Sequence, residues 1–339
     1  MGKAILTFLV LIVLGGAVAY STGFIKLNAG VNAGICQQDT EIPAATRGAM
    51  QDRAMSFLQA FLAGDTAKAF GMMTPDAQKS APEEKLAEIS GVLQKTAAPF
   101  DPPTVAHTYF VQSKGGGPNT RTVCGTLADD KWVAVEIKPG FDQGHVWISA
   151  KARNNDWAFT FWLLPNGNDW RVACFNANPS SIVGLTPGDL LQKARSERDS
   201  HHAFNATLLY IAAASISNFG PSFQLGVAQP LQEDLSKLQA PSELMGKPPF
   251  TWDMQGKKYI VQQVSIIGVA GKIGLIFQLP QTTWNGDEQA DKSNRDFINA
   301  FIATHSDYSR DFSFLVARAL KPDGSGGFGT VYQNGKGFD

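Results

Sequence analysis

The side chains with most to offer chemically are few and scattered. Glu136, in Trp132-Val133-Ala134-Val135-Glu136-Ile137-Lys138, is a carboxylate that burial would tune into a general base. Strand alternation puts it with Trp132 and Lys138, opposite Val133, Val135 and Ile137, which make the better core face. Its expected place is therefore outward, beside Lys138. Among the five histidines, His107 and His145 fall in strand-like stretches and can meet in a domain interior. His201 and His202 are neighbours on a predicted helix, about 100° apart, and cannot share a metal as an i, i+4 pair does. Gly324-Ser325-Gly326-Gly327-Phe328-Gly329 spells GxGxxG, but a dinucleotide site needs a strand before it and a helix after it. Lys321-Pro322-Asp323-Gly324 is hairpin-turn chemistry instead. The sequence holds no P-loop, GxSxG elbow or HExxH, so neither a cofactor nor a metal is expected.

The densest local feature is aromatic. In Trp157-Ala158-Phe159-Thr160-Phe161-Trp162, a strand sends Trp157, Phe159 and Phe161 to one face and Trp162 to the other. A three-ring stripe on a sheet is a core packed under helices, or else the wall of a ligand cavity. The helix-covered side is the expected place for the stripe, leaving Trp162 on the far side as an exposed anchor for a partner. Three cysteines, Cys36, Cys124 and Cys174, lack metal-ligand spacing. If the compartment is oxidising, Cys124 and Cys174, both in strand-like stretches of one domain, are the expected pair. The other reading is three half-buried thiols. Asn205-Ala206-Thr207 has the form of a glycosylation sequon but lies inside a predicted helix, which argues against its use.

The elements that must position these groups follow from periodicity. Residues 28–45 are small, polar and Gly/Pro-punctuated, and read as a linker. Ala54, Phe57, Leu58, Phe61 and Leu62 keep helical spacing up to Gly64. A short helix over 65–71 is closed by Thr74-Pro75. A third starts at Ser80-Ala81-Pro82-Glu83, a capping box with proline at its first position, and buries Leu86, Ile89 and Leu93. From Pro102 the period becomes two, with strands predicted over 105–112, 120–127, 132–138, 146–152, 157–164 and 170–175 between Gly-, Asn- and Asp-rich turns. Three helices followed by a meandering, curved antiparallel sheet is an α+β layout. A second α+β unit, 186–339, opens with Thr186-Pro187-Gly188-Asp189 as a helix start and continues helical to about Phe219. Strands at 259–267 and 274–279, a helix carrying Phe297 and Phe301, and a terminal hairpin over 312–332 complete it. That order loosely echoes the first domain, although no residue-level repeat is present.

The stretch FLQAFLAGDTAKAFGMMTPDAQKSAPEEKLAEI resembles the opening of nuclear transport factor 2-like domains, especially the exported bacterial ones. Gly64-Asp65 ends the first helix, Ala69-Phe70 is the Ala-aromatic pair of the second, and Thr74-Pro75 precedes the third. The resemblance covers about residues 46–178 and implies a cone with an internal cavity, but no activity, since that fold hosts enzymes, binders and scaffolds alike. Enzymes of that fold place a carboxylate base in the cavity. If a ligand is held there, its candidate lining is Trp157, Phe159, Phe161, His107, His145 and Glu136.

Residues 4–20 read AILTFLVLIVLGGAVAY, nearly enough helix at about 1.5 Å per residue to cross a hydrocarbon core of about 30 Å. Lys3 ahead of it favours a cytoplasmic N-terminus. Residues 1–27 are thus an uncleaved signal anchor, or a signal peptide cut after Ala19. Either way the rest is exported, and the anchor reading places it in the periplasm on a single inner-membrane span. Of 339 residues, 29 are Lys or Arg and 30 are Asp or Glu. With no basic surplus, nucleic acid is not an expected partner. The expected partners are the membrane, through residues 4–20, and another envelope or membrane protein. The reading is a non-enzymatic, membrane-tethered binding or assembly module built from a domain at 46–180 and a second at 186–339. The alternative is a small-molecule enzyme or carrier using the cavity of the first domain.

Overall fold

The computed structural model describes residues 34–113, 120–125, 132–138, 140–153 and 155–339. The apolar run at 4–20 lies outside them. Among the described residues no helix is long and apolar enough to cross a membrane. The protein is α+β, with eight α-helices and four sheets among the described residues. The described residues divide into two compact units, one from those between 34 and 181 together with 214–233, the other 182–213 with 234–339. The first unit is therefore discontinuous in sequence, since the segment 214–233 returns to it.

The first unit opens with β1 (Gly34–Gln38), which pairs with β2 (Thr104–Ser113). The stretch read as a linker thus contributes an edge strand. Four helices follow: α1 (Ala44–Leu62), α2 (Thr66–Gly71), α3 (Pro75–Ser80) and α4 (Glu83–Thr96). The helix beyond the expected three is α3. Thr74 does not merely close α2; its hydroxyl caps α3 by accepting the Ala77 N–H at 3.2 Å, with Pro75 at the first position. The capping box expected at Ser80 is absent. Ser80 ends α3 and bonds back to the Asp76 carbonyl, while extended Pro82 starts α4 without a side-chain cap. Ile89 is 42% exposed, not buried, because the inward stripe of α4 runs through Leu86, Ser90 and Leu93. Ser90 belongs to that stripe through a 2.7 Å bond to the Phe61 carbonyl.

The strands do not form one meander. β5 (Gln143–Ala152), β6 (Asn155–Asn166) and β7 (Asp169–Pro179) join the first two in an antiparallel sheet of order β1-β2-β5-β6-β7. β3 (Thr120–Cys124) and β4 (Val133–Ile137) leave it and pair with β8 (Phe223–Leu225) in a separate three-stranded sheet. Two apolar clusters result. One lies between the helices and the main sheet. The other combines Tyr109, Val111 and Ala158 of the main sheet with Cys124, Val133, Val135 and Ile137 of the small one, and with Phe219 and Phe223. Each large apolar side chain buried here contributes roughly 1.5–3 kcal/mol.

In the second unit the helix start expected at Thr186 is present. Thr186 caps α5 (Pro187–Asp199), and Asp189 returns a bond to the Thr186 N–H. The helical stretch then breaks. Ser200, His201 and His202 separate α5 from α6 (Ala203–Ile216), and His201 takes φ +64°. The two histidines are thus in a junction, not on a helix. After α7 (Ala228–Lys237) come β9 (Phe250–Met254) and β10 (Lys257–Val261), which form a hairpin. β11 (Gln263–Val269), β12 (Lys272–Pro280), β13 (Phe314–Leu320), β14 (Gly327–Gln333) and β15 (Gly337–Phe338) form the main sheet of this unit. β12 and β13 run parallel, joined through α8 (Asp287–Thr304). The paired strands of the first unit are all antiparallel, so the echo between the two units stops at element order. The GxGxxG run is the β13–β14 turn, with Gly324 at φ +72° and the Lys321 N–H bonded to the Gly326 carbonyl.

Candidate functional site

The residues singled out for chemistry lie on the main sheet of the first unit and beside it, on both of its faces. Trp157, Phe159 and Phe161 turn toward the helices, the facing that alternation predicts, and are at most 5% exposed. They do not line a space with each other alone. Phe57 meets Phe161 edge-on at 5.7 Å, and Phe100 meets Trp157 and Phe159 at 5.7 and 5.5 Å. Phe175 fills the middle, 4.9 Å from Phe61, 5.1 Å from Phe57 and 5.1 Å from Phe161. Phe100 and Phe175 were not singled out from sequence, although Phe175 lies in register opposite Phe161. α1 comes close because Gly144 has no side chain; a Cβ there would overlap the Met50 sulfur.

The other face carries a polar row. Register places Tyr109, His145, Trp162 and Cys174 side by side across β2, β5, β6 and β7. The neighbouring row is His107, Trp147, Thr160 and Asn176. This face is covered by the small sheet and the returning segment. Thr160 donates to the Phe219 carbonyl at 2.8 Å, Asn178 donates to the Ser215 carbonyl at 2.9 Å, and Phe219 packs edge-on to Trp147 at 4.7 Å. The cover needs Gly220 at φ +87°, where a side chain would strike Asn176. Trp162 is on the face alternation predicts but is half-buried rather than free. Its indole stacks on His145 and donates to Gln143 Oε1 at 2.8 Å.

The six candidate lining residues therefore do not share one pocket. Three rings are under the helices, and the two histidines are on the opposite face. His107 bonds Asp39 at 3.1 Å, while His145 sits between Trp162 and Phe223. Glu136 belongs to the small sheet. It is half-buried, and its register partner is Arg121 rather than Lys138. Arg121 in turn donates to Gln224 Oε1 at 2.7 Å and to the Pro221 carbonyl at 2.8 Å.

The cysteine pairing also differs from the expectation. Cys36 and Cys124 form the disulfide, with Cα atoms 5.5 Å apart, and Cys174 is free. The reason is topological. Cys174 is on β7 and Cys36 on β1, opposite edges of the main sheet, and β3 lies over the β1 side, where Thr122 reaches the Gly34 carbonyl. Reading residues 28–45 as linker hid the strand that brings Cys36 into range.

Burial sets the protonation of this region. It lowers His145 to about 3, with the Glu136 carbonyl offsetting only part of the cost. Neither ring nitrogen makes a hydrogen bond of ordinary geometry. Burial raises the Cys174 thiol, against a bond with Ser222, and raises the Glu136 carboxyl, against the pull of Arg121. A thiol nucleophile or an imidazolium acid needs the opposite shifts. Here the imidazole is neutral and the thiol keeps its proton at neutral pH. Among the described residues no three His, Cys, Asp or Glu side chains are placed to hold a metal. No family model matches the chain, and no curated protein or solved structure matches it.

Proposed function

We propose that this chain is an exported, membrane-tethered binding or assembly module, whose first unit is a nuclear transport factor 2-like domain used as a scaffold rather than as a catalyst. The observation that carries the reading is the filling of both faces of the main sheet. Phe57, Phe61, Phe100 and Phe175 occupy the space over the aromatic stripe, and the small sheet with Phe219 and Phe223 occupies the other side. The imidazole of His145 and the thiol of Cys174 are buried in forms that favour neither proton transfer nor nucleophilic attack. What remains for contact is surface, including Ile89 and Phe141, 42% and 47% exposed. Export is supported by the Cys36–Cys124 bridge, since disulfides persist in oxidising compartments and are reduced in the cytosol. The tether is residues 4–20, and the partner is another envelope or membrane protein.

Two measurements test this. A C-terminal reporter that works only outside the cytoplasm should be active, and the full chain should sediment with membranes while a version lacking residues 4–20 should not. Photo-crosslinkers at Ile89 and Phe141 should then yield a discrete adduct with an envelope protein. A reporter active only in the cytoplasm overturns the location. Turnover of a small molecule that is lost in Glu136→Gln, while the melting temperature holds, would favour an enzyme instead.

A further inference from the structure

The main sheet of the second unit has two unlike faces. Phe277 of β12 packs on Phe297 and Phe301 of α8, with ring centres 5.0 and 4.7 Å apart, and Thr330 of β14 accepts from Asn294 of the same helix at 3.1 Å. Phe277, Ala317 and Thr330 stand in register, so their row faces α8. The next row faces the other way. It reads Gln263, Gln278, Arg318 and Gly329 across β11, β12, β13 and β14.

Arg318 is half-buried and its Nε is shut off from solvent, yet its guanidinium has no hydrogen bond or ion pair among the described residues. No aspartate or glutamate alternates onto this face of β11 to β14. Burial alone lowers Arg318 from its ordinary 12.5, with no acid acting against it. The guanidinium still keeps its charge and its fork of donors. A desolvated donor without an acceptor costs stability, and the group that satisfies this fork is an anion with two oxygens in one plane. Gly329 is an independent observation. Its φ is not left-handed, and a Cβ there would meet nothing nearer than Val316 Cγ1 at 4.0 Å, so neither conformation nor crowding demands glycine. β13 and β14 pair here without a bulge, which leaves close approach by another group as the use of a strand glycine. On the other side of Arg318, the Gln278 carboxamide has no partner among the described residues and supplies a further N–H donor.

We propose that Arg318, with Gln278, binds a carboxylate in the space that Gly329 leaves open beside the guanidinium. A single cation neutralises one carboxylate but not a phosphate dianion, and the planar fork matches the two carboxylate oxygens. The acid is a free small molecule or a side chain of another protein, since both present the same group. The site depends neither on export nor on the contact surfaces of the first unit.

The probe is the Arg318 Nε–H resonance of the full chain, identified by its loss in Arg318→Lys and followed at constant ionic strength. Sodium acetate should shift it along a saturable curve, and sodium chloride should leave it in place. Gly329→Val fills the gap without touching a charged group, and should weaken acetate about tenfold or more while the melting temperature holds. Gln278→Leu should also weaken it, and carries the test if the valine variant does not fold. A blocked tripeptide with one central glutamate separates the sources. Tighter binding than acetate assigns the site to a protein side chain, and weaker binding assigns it to a free acid. A resonance that neither probe shifts saturably overturns the proposal. So does inorganic phosphate binding more tightly than acetate, or acetate binding undiminished in a folded Gly329→Val or Gln278→Leu.

Discussion

Replacing Cys36 and Cys124 together by alanine opens the bridge that ties the edge strand β1 to the small sheet. The two cysteines are 88 residues apart in sequence. In the chain-entropy account, releasing a loop of that length returns about 4.6 kcal/mol of freedom to the unfolded state at 25 °C. Native bridges more often contribute about 2–4 kcal/mol, because the unfolded chain keeps some structure and the folded one relaxes. The loop closed by the bridge holds α1 to α4 and β2, so all of that stretch is freed when it opens. The expected loss is therefore about 3–4.5 kcal/mol in the urea transition of the first unit, followed by tryptophan fluorescence. Alanine fits the buried Cys124 site, 2% exposed, and leaves no new polar group unpaired. Alkylation gives an independent count: in denaturant without reductant one thiol should react, that of Cys174, and three should react after reduction. A double variant within about 1 kcal/mol of wild type would refute the cross-link account of this unit's stability. Recovery of Cys174 in a bridged peptide would refute the pairing itself.

Other predictions follow from the same packing. Phe159→Ala, at a fully buried ring, should cost about 3–5 kcal/mol in chemical denaturation, whereas Ile89→Ala at an exposed position should cost less than about 0.5 kcal/mol. His145 is held neutral when folded, with its value lowered to about 3, and protonates near 6.5 when unfolded. Acid should therefore weaken the first unit progressively from pH 6.5 down to about 3, by up to roughly 1.4 kcal/mol per pH unit. His145→Leu should flatten that slope in melts across the same range, and an unchanged slope would contradict the assignment. Trp162→Phe keeps the stacking on His145 but removes the N–H that Gln143 accepts; the expected loss is about 1 kcal/mol by thermal melting.

Local rules read the elements of this chain well and their partners poorly. Alternation alone orients Trp157, Phe159 and Phe161, because the period of a strand leaves one choice once helices must cover one face. Thr186-Pro187-Gly188-Asp189 marks the start of α5 because cap, proline and acid act within four residues. What failed was non-local. That β3 and β4 leave the main sheet depends on β8, some hundred residues later, and nothing in the pattern of either strand announces it. Glu136 was expected beside Lys138 because only its own strand was considered, while its register partner Arg121 lies across a pairing. Ile89 was assigned to a buried stripe by hydrophobicity, although Ser90, polar but bonded to the Phe61 carbonyl, is the residue that faces inward.

The return of residues 214–233 has a consequence for how the protein is made. The first unit needs β8 and Phe219 to cover the polar row around His145, yet these leave the ribosome only after α5 and most of α6. Until then β4 has an unpaired edge and one face of the main sheet is uncovered, a surface prone to wrong pairings. Synthesis order and folding order therefore differ, and a fragment ending near residue 180, where the sequence suggests a domain boundary, would lack the strand that completes its small sheet. On the proposed export, an oxidant that joins Cys36 to Cys124 before β8 arrives would act on a first unit whose last piece is not yet in place.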